Sequence, residues 1–220
     1  MVPIAAALPE VLDDPRVQPN PTATVNATRW RAAAPVLAVV VIAALLRAWA
    51  LVSLPLIITN DGTEYLANGM RLAEGSGLSV VRPIRTPGYP LFLAGIFQVF
   101  GPGPVSILIF QHILGVASCG LIAYAAARLT RSRVGSIAGL LLALDPWLFA
   151  LESYALSETL TVALLAFAIA LTLGPARPRA YHALLIGMAL GAACLTRPAC
   201  QVLVPFVGLA WLVRAGAGRN

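Results

Sequence analysis

Apolar residues run in long blocks along this chain. Ala32 to Ile57, Val105 to Ala127 and Val134 to Ala150 are nearly unbroken, and Thr159 to Leu173, Ala180 to Leu195 and Val202 to Val213 follow at shorter length. An α-helix rises about 1.5 Å per residue, so a hydrocarbon layer of about 30 Å takes about 20 apolar residues to cross. The first two blocks are long enough, and only Arg47 interrupts the first. Asp145-Pro146 cuts the third short. The fourth and fifth are of marginal length, and the last gains length by beginning near Pro198. Short Gly- and Pro-marked connections join the blocks, with no internal repeat and no soluble second domain. The pattern predicts an all-α fold, a polytopic membrane helix bundle of about six spans.

Composition agrees. Only 11% of residues are charged and 59% are hydrophobic, against about 25% charged in an average soluble domain. The net charge is +6 and every basic residue is Arg, which stays ionised in any environment. These arginines are scattered between apolar blocks. That placement fits a topology signal at the inner membrane face and gives no nucleic-acid-binding patch.

The arginines also decide an ambiguous segment, Gly88 to Phe100. If it crosses the membrane, Arg128, Arg131 and Arg133 fall outside, opposite Arg29 and Arg31. If it lies along the surface, those five and Arg177, Arg179, Arg214 and Arg219 all face the cytoplasm. Asp61, Glu64, Glu74, Asp145, Glu152 and Glu158 then gather at the outer face. The positive-inside rule selects the second arrangement. Residues 1–31 are then a cytoplasmic, disordered tail rich in proline, without the basic start of a signal peptide. Residues 32–213 form the membrane module, residues 58–103 its first outer loop with two juxtamembrane helices, and residues 214–220 a short cytoplasmic tail. The protein is expected in a multi-pass state with both termini cytoplasmic.

Cys119, Cys194 and Cys200 lie in or beside apolar blocks without CxxC spacing, and read as small buried hydrophobes. His112 and His182 stand singly near helix starts and read as interfacial. No metal-ligand set and no cofactor is indicated, although a divalent metal stays open.

The charge of this apolar chain is concentrated in the first outer loop. Asp61 and Glu64 have the D-x-x-E spacing of a capping box, which predicts Asp61 as N-cap and a helix running to about Glu74, stopped at Gly75 or Gly77. Asp61, Glu64, Asn68 and Arg71 share one face of that helix, and Leu66, Gly69, Met70 and Ala73 another. Pro83, Pro87 and Pro90 then stiffen a segment that brings Arg82 and Arg85 to the same surface. Two readings follow from the pattern. One is a solvated loop with a capping acid. The other is a site where a carboxylate takes a proton from a hydroxyl and a guanidinium holds a phosphate.

The run "NDGTEYLANGMRLAEGSGLS…RTPGYPLFLAGIFQVFG" resembles the first outer loop of the GT-C glycosyltransferases. The similar branch contains the protein O-mannosyltransferases and the bacterial aminoarabinose and lipid-linked-sugar transferases. "LIFQHILGVASCGLIAYAAARLTRSRVGSIAGLLLALDPWLFALESYALSETLTVALLAFAIAL" is similar to the next two spans and second outer loop, and "GMALGAACLTRPA" to a later small-residue helix and basic turn. The order and spacing of these segments, over roughly Ala32 to Val213, carry the resemblance. It implies Asp61 as catalytic base and Glu158 as the second-loop acid that positions the acceptor or catalytic groups. It implies Arg85 and Arg197 as contacts to a lipid phosphate, with Arg82 and Arg47 as weaker matches and Glu64 as a positioning acid.

The implied reaction moves a hexose or pentose from a polyprenyl-phosphate donor to a hydroxyl of a lipid, glycan or protein acceptor, with inversion, at the outer face of a bacterial plasma membrane. Relatives usually continue with more helices. A truncated or split enzyme, or a non-catalytic scaffold that binds lipid phosphate, is therefore the alternative.

The one-sided arginine distribution generates a topology test. A single cysteine introduced by Ser132→Cys, with the native cysteines replaced, should resist an impermeant thiol reagent in intact cells and react after permeabilisation. Labelling in intact cells would place the Arg128 to Arg133 loop outside.

Overall fold

The computed structural model describes residues 21–81, 85–130, 132–174 and 179–217. Among these the backbone is helical apart from connecting turns and one isolated parallel bridge, Ile57 to Tyr154. The α-helices are α1 (Pro21–Ser53), α2 (Asn60–Ala73), α3 (Gly88–Phe100), α4 (Pro104–Leu129), α5 (Ser132–Leu144), α6 (Pro146–Leu151), α7 (Glu158–Leu173), α8 (Ala180–Thr196) and α9 (Leu203–Ala217). Short 3₁₀ turns at Leu78–Val80 and Pro198–Val202 precede α3 and α9. The chain is an all-α membrane protein.

Among the described residues, three segments are long and apolar enough to cross a membrane: Ala33–Ser53, Pro104–Leu129 and Pro198–Gly216. The first helix begins at Pro21, ahead of the apolar block that starts at Ala32. The other three expected spans are shorter helices of 13, 16 and 17 residues. At about 1.5 Å per residue they measure about 20–26 Å. The expected Val134 to Ala150 span is broken in two. Asp145 caps α6 by accepting the Leu148 N–H at 2.8 Å, and Pro146 occupies the first helical position, where its missing N–H costs nothing.

Small residues let α1, α4 and α5 approach closely. Val39, Ala43, Cys119, Ala123 and Ala143 form their buried seam. A Cβ added at Gly139 would lie 2.6 Å from the Ala123 Cβ, and one at Gly135 would strike the Ala123 carbonyl. Small side chains at a helix contact substitute van der Waals packing for the hydrophobic drive that lipid does not supply. A second seam joins α7 and α8 through Ala168, Ile186, Ala189 and Leu190. At the far end of α7, Arg128 Nε donates to the Gly174 carbonyl at 2.7 Å and Arg214 Nη2 to the Leu173 carbonyl at 2.9 Å. These bonds satisfy two carbonyls that a helix C-terminus leaves without intrahelical partners.

The helices α2 and α3 pack on each other above α4. Tyr65, Tyr89, Leu93, Ile96, Phe97 and Ile107 are their shared core. At 13 residues α3 is only about 20 Å long, short of the hydrocarbon thickness. The end of α2 is as expected: Gly75 takes φ +91°, the Ser76 N–H bonds to the Arg71 carbonyl at 2.9 Å and the Gly75 N–H to the Leu72 carbonyl at 3.1 Å, a Schellman stop. Its start and its faces differ from expectation. Thr59 is the N-cap, in extended conformation, and its hydroxyl accepts the Gly62 N–H at 3.2 Å. The buried face is Gly62, Tyr65, Asn68 and Gly69, while Met70 is exposed. Moving the N-cap two residues upstream frees Asp61 from capping.

Gly69 is where α2 and α3 come closest, since a Cβ there would lie 2.8 Å from the Leu93 Cβ. Gly69→Val should lower stability by about 1–3 kcal/mol, the usual cost of overpacking. Gly95→Ala, on an open face of α3, should be neutral or slightly stabilising. Denaturant unfolding in detergent micelles would compare the two.

Candidate functional site

Four elements converge on one open cavity of about 280 Å³. Its walls include Asp61 and Tyr65 from α2, Arg85 and Thr86 from the turn before α3, Ser157 and Glu158 at the start of α7, and Arg197 just after α8. The charges inside are paired across chain segments. Arg85 Nη2 donates to Asp61 Oδ1 at 2.5 Å, and Arg85 Nε to Glu64 Oε2 at 3.0 Å. Arg197 Nη1 pairs with Glu158 Oε1 at 2.5 Å. The Arg85 guanidinium also lies over the Tyr65 ring, 5.8 Å from its centroid. Hydrogen bonds to Asp61 and then Glu64 hold the Arg85 pKa well above its already high ordinary value.

Local sequence explains how each group is delivered. Once Thr59 caps α2, Asp61 sits in the first helical turn and Glu64 on the next, both facing Arg85. Glu64 is therefore an acceptor for Arg85, not the reciprocal partner of a capping box. Thr86 Oγ1 donates to the Thr196 carbonyl at 2.7 Å, fastening the proline-rich turn to the end of α8. Gly88 permits that approach, because a Cβ there would lie 2.6 Å from the Leu195 carbonyl oxygen. The structure thus brings together Asp61, Glu64, Arg85, Glu158 and Arg197. Arg82 lies outside the described residues.

Behind this cavity lies a buried polar cluster with no local sequence signature. Arg47 of α1 grips Glu152 with two bonds, Nη2 to Oε1 at 2.6 Å and Nε to Oε2 at 3.0 Å, and both side chains are about 96% buried. His112 Nδ1 lies 2.8 Å from the same Glu152 Oε2. The expectations that Arg47 is a weaker match for a lipid-phosphate contact, and that His112 is interfacial, are both overturned. Each is enclosed by α1, α4 and the turn after α6, where a carboxylate offsets the charge that lipid cannot solvate. His182 is buried too, and its Nδ1 accepts the Arg179 N–H at 2.9 Å, closing the start of α8. Gly115 makes room for Glu152, since a Cβ there would overlap its carboxylate.

This cluster fixes the segment that carries Glu158. Gln111 Nε2 donates to the carbonyls of Glu152 at 2.9 Å and Tyr154 at 2.8 Å. Gln111 Oε1 accepts from the Tyr89 hydroxyl at 3.1 Å. Burial, with Glu158 nearby, pushes the Tyr89 phenol well above its ordinary range, so it stays a donor. The Ile57 N–H bonds to the Ser153 carbonyl at 2.7 Å and the Ala155 N–H to the Ile57 carbonyl at 3.0 Å. The turn from Glu152 to Ala155 is thereby held against both α4 and the segment that leads into α2. Among the described residues no three His, Cys, Asp or Glu side chains gather as a metal-ligand set.

Residues 83–220 match the model of a family described as dolichyl-phosphate-mannose-protein mannosyltransferase. The match includes Arg85, Glu158 and Arg197, while Asp61 and Glu64 precede it. No curated protein and no solved structure matches the chain.

Removing one partner of a buried ion pair leaves the other uncompensated, at a cost of about 3–5 kcal/mol. Glu152→Ala should destabilise the protein on that scale. The double variant Arg47→Met with Glu152→Leu should recover most of the loss. Thermal unfolding in micelles, followed by circular dichroism, distinguishes these outcomes.

Proposed function

Because the chain belongs to the dolichyl-phosphate-mannose-protein mannosyltransferase family of membrane glycosyltransferases, we propose that its outer-loop cavity transfers a sugar from a polyprenyl-phosphate donor to a hydroxyl acceptor. One observation carries this reading. A half-exposed carboxylate, a second acid and two guanidiniums from four separate elements line one cavity at the end of an apolar bundle. A lipid-linked phosphate needs a permanent cation beside an apolar region, and a hydroxyl nucleophile needs a base within the same space.

In this reading the acceptor O–H gives its proton to Asp61. The acceptor oxygen attacks the anomeric carbon as the bond from that carbon to the phosphate oxygen breaks. The leaving lipid phosphate gains charge, and arginine N–H groups stabilise it as that charge develops. Direct displacement inverts the anomeric centre. Glu158 holds Arg197 in place and borders the space an acceptor would occupy. Arg85 holds Asp61 and Glu64 together. The reading places the cavity on the outer membrane face with both termini cytoplasmic, and it is supported by the distribution of arginines along the sequence.

Asp61→Asn keeps the size of the side chain and removes its basicity. Turnover of a radiolabelled polyprenyl-phosphate sugar should fall by about two orders of magnitude or more, the scale of a lost general base. Glu64→Gln retains one acceptor oxygen for Arg85 and should cost much less. Single-turnover transfer by purified protein in lipid nanodiscs checks both, with donor binding measured separately. Near-parental transfer by Asp61→Asn would remove Asp61 from the base role. Lipid-phosphate binding without transfer by the parent chain would favour the scaffold reading.

A further inference from the structure

Most hydroxyl groups of the cavity wall are already committed. Thr86 Oγ1 donates to the Thr196 carbonyl at 2.7 Å, and Thr196 Oγ1 to the Ala192 carbonyl at 2.8 Å. Ser157 Oγ faces a Glu158 carboxylate oxygen at 3.5 Å. Tyr65 is the exception. Only 8% of the residue is exposed, yet its hydroxyl is not enclosed and has no hydrogen-bond partner among the described residues. Tyr65 lines the cavity, so that oxygen opens into it.

The ring behind the hydroxyl is held on several sides. Tyr89 meets it edge to face, with centroids 5.2 Å apart. The Arg85 guanidinium lies over it, 5.8 Å from the centroid. Tyr89 is itself stacked on Phe92 and bonded to Gln111. A phenol fixed in this way presents one O–H donor in a set direction, and little side-chain freedom remains to be lost when a ligand arrives. Whatever displaces water from the cavity has to replace the bond that water makes to this hydroxyl.

The chemistry of the transfer separates the groups that could do so. The reacting oxygen of the acceptor gives up a proton and needs a base. The departing phosphate is an anion and draws guanidinium groups. The transferred sugar lies between them and carries neutral hydroxyl groups, which are recognised by directional donors and acceptors. Tyr65 stands one helical turn beyond Asp61 on α2 and against Arg85, between the proposed base and the cation.

Resting on the donor reading above, we infer that Tyr65 is a specificity-determining residue whose phenolic O–H donates to one hydroxyl oxygen of the transferred sugar. A sugar without that hydroxyl leaves the phenol unpaired in a filled cavity. A site built around a hydrogen bond rejects such an analogue more strongly than an apolar pocket rejects a change in size.

The test crosses one variant with a set of donors, using the full chain in detergent micelles. Tyr65→Phe removes the hydroxyl and keeps the ring between Tyr89 and Arg85, so its folding by circular dichroism should match the parent. The donors are the sugar that the parent transfers, found from a panel of polyprenyl-phosphate-linked hexoses and pentoses, and the monodeoxy analogues of that sugar. With the intact sugar, Tyr65→Phe should lower kcat/KM by about 5- to 100-fold. One monodeoxy donor should show a loss of similar size with the parent and lose no more than about twofold further with Tyr65→Phe, because the same contact is removed from either side. The other monodeoxy donors should keep the full Tyr65→Phe penalty. Farnesyl phosphate, which carries no sugar, should bind the variant within about twofold of the parent. Penalties that multiply at every ring position would overturn the assignment. So would an equal loss of farnesyl phosphate binding, a loss confined to the acceptor KM, or a Tyr65→Phe chain that no longer folds. A parent that transfers no sugar from the panel overturns the donor reading and this inference together, whereas multiplying penalties in an active parent overturn this inference alone.

Discussion

A guanidinium cannot lose its charge, and Arg47 lies inside an apolar helix bundle. Moving such an ion out of water costs on the order of 20 kcal/mol in the idealised limit, and several kcal/mol after relaxation. The fold meets that demand with Glu152, gripped through two hydrogen bonds and shared with His112. Once the Glu152 side chain is fixed, so is the turn that contains it. Gln111 binds the backbone of that turn on one side, and Ile57 binds it on the other. The segment from Glu152 to Ser157 has little freedom left, and it ends where α7 begins with Glu158.

The open cavity inherits its geometry from this arrangement. Glu158 meets Arg197 because α7 starts at a fixed place relative to the end of α8. Arg85 meets Asp61 and Glu64 because the turn before α3 is tied to α8 through Thr86 and closely packed at Gly88. Ala155, within the pinned turn, rests against Gly62, next to Asp61. Buried polar contacts therefore set the relative positions of partly exposed ones. The exposed pairs add little to stability, since accessible ion pairs contribute about 0–1 kcal/mol. Their significance is chemical, because ionised groups stand ready at the edge of an apolar volume.

Much of the fold was legible along the chain. Apolar block length located the helices, Gly75 marked the end of α2, and Asp145-Pro146 marked a break. That break proved stronger than expected, because an Asp N-cap followed by Pro at the first helical position starts a new helix more readily than it bends an old one. The start of α2 was misread because two capping patterns overlap. Thr59 with Gly62 and Asp61 with Glu64 both have N-cap spacing, and local pattern cannot rank them; the packing of Gly62 against Ala155 favours the earlier one. The buried cluster gave one faint signal. An arginine within a spanning block calls for a carboxylate at similar depth, and Glu152 just past the Trp147 to Leu151 run was available to answer it.

Sequence by itself determined that this chain is an all-α membrane protein, that its charge gathers in the loop after the first apolar block, and which acids and arginines stand there. Those properties follow from local terms: the rise of a helix, the cost of placing charge in lipid, and the backbone preferences of Gly and Pro. Only the tertiary structure decided the pairing. Arg47 and Glu152 are 105 residues apart, and Arg197 and Glu158 belong to different helix ends. Which carboxylate faces which guanidinium depends on how helices pack and which small residues let them approach. That is a long-range property, set by contacts whose partners no sequence neighbourhood contains.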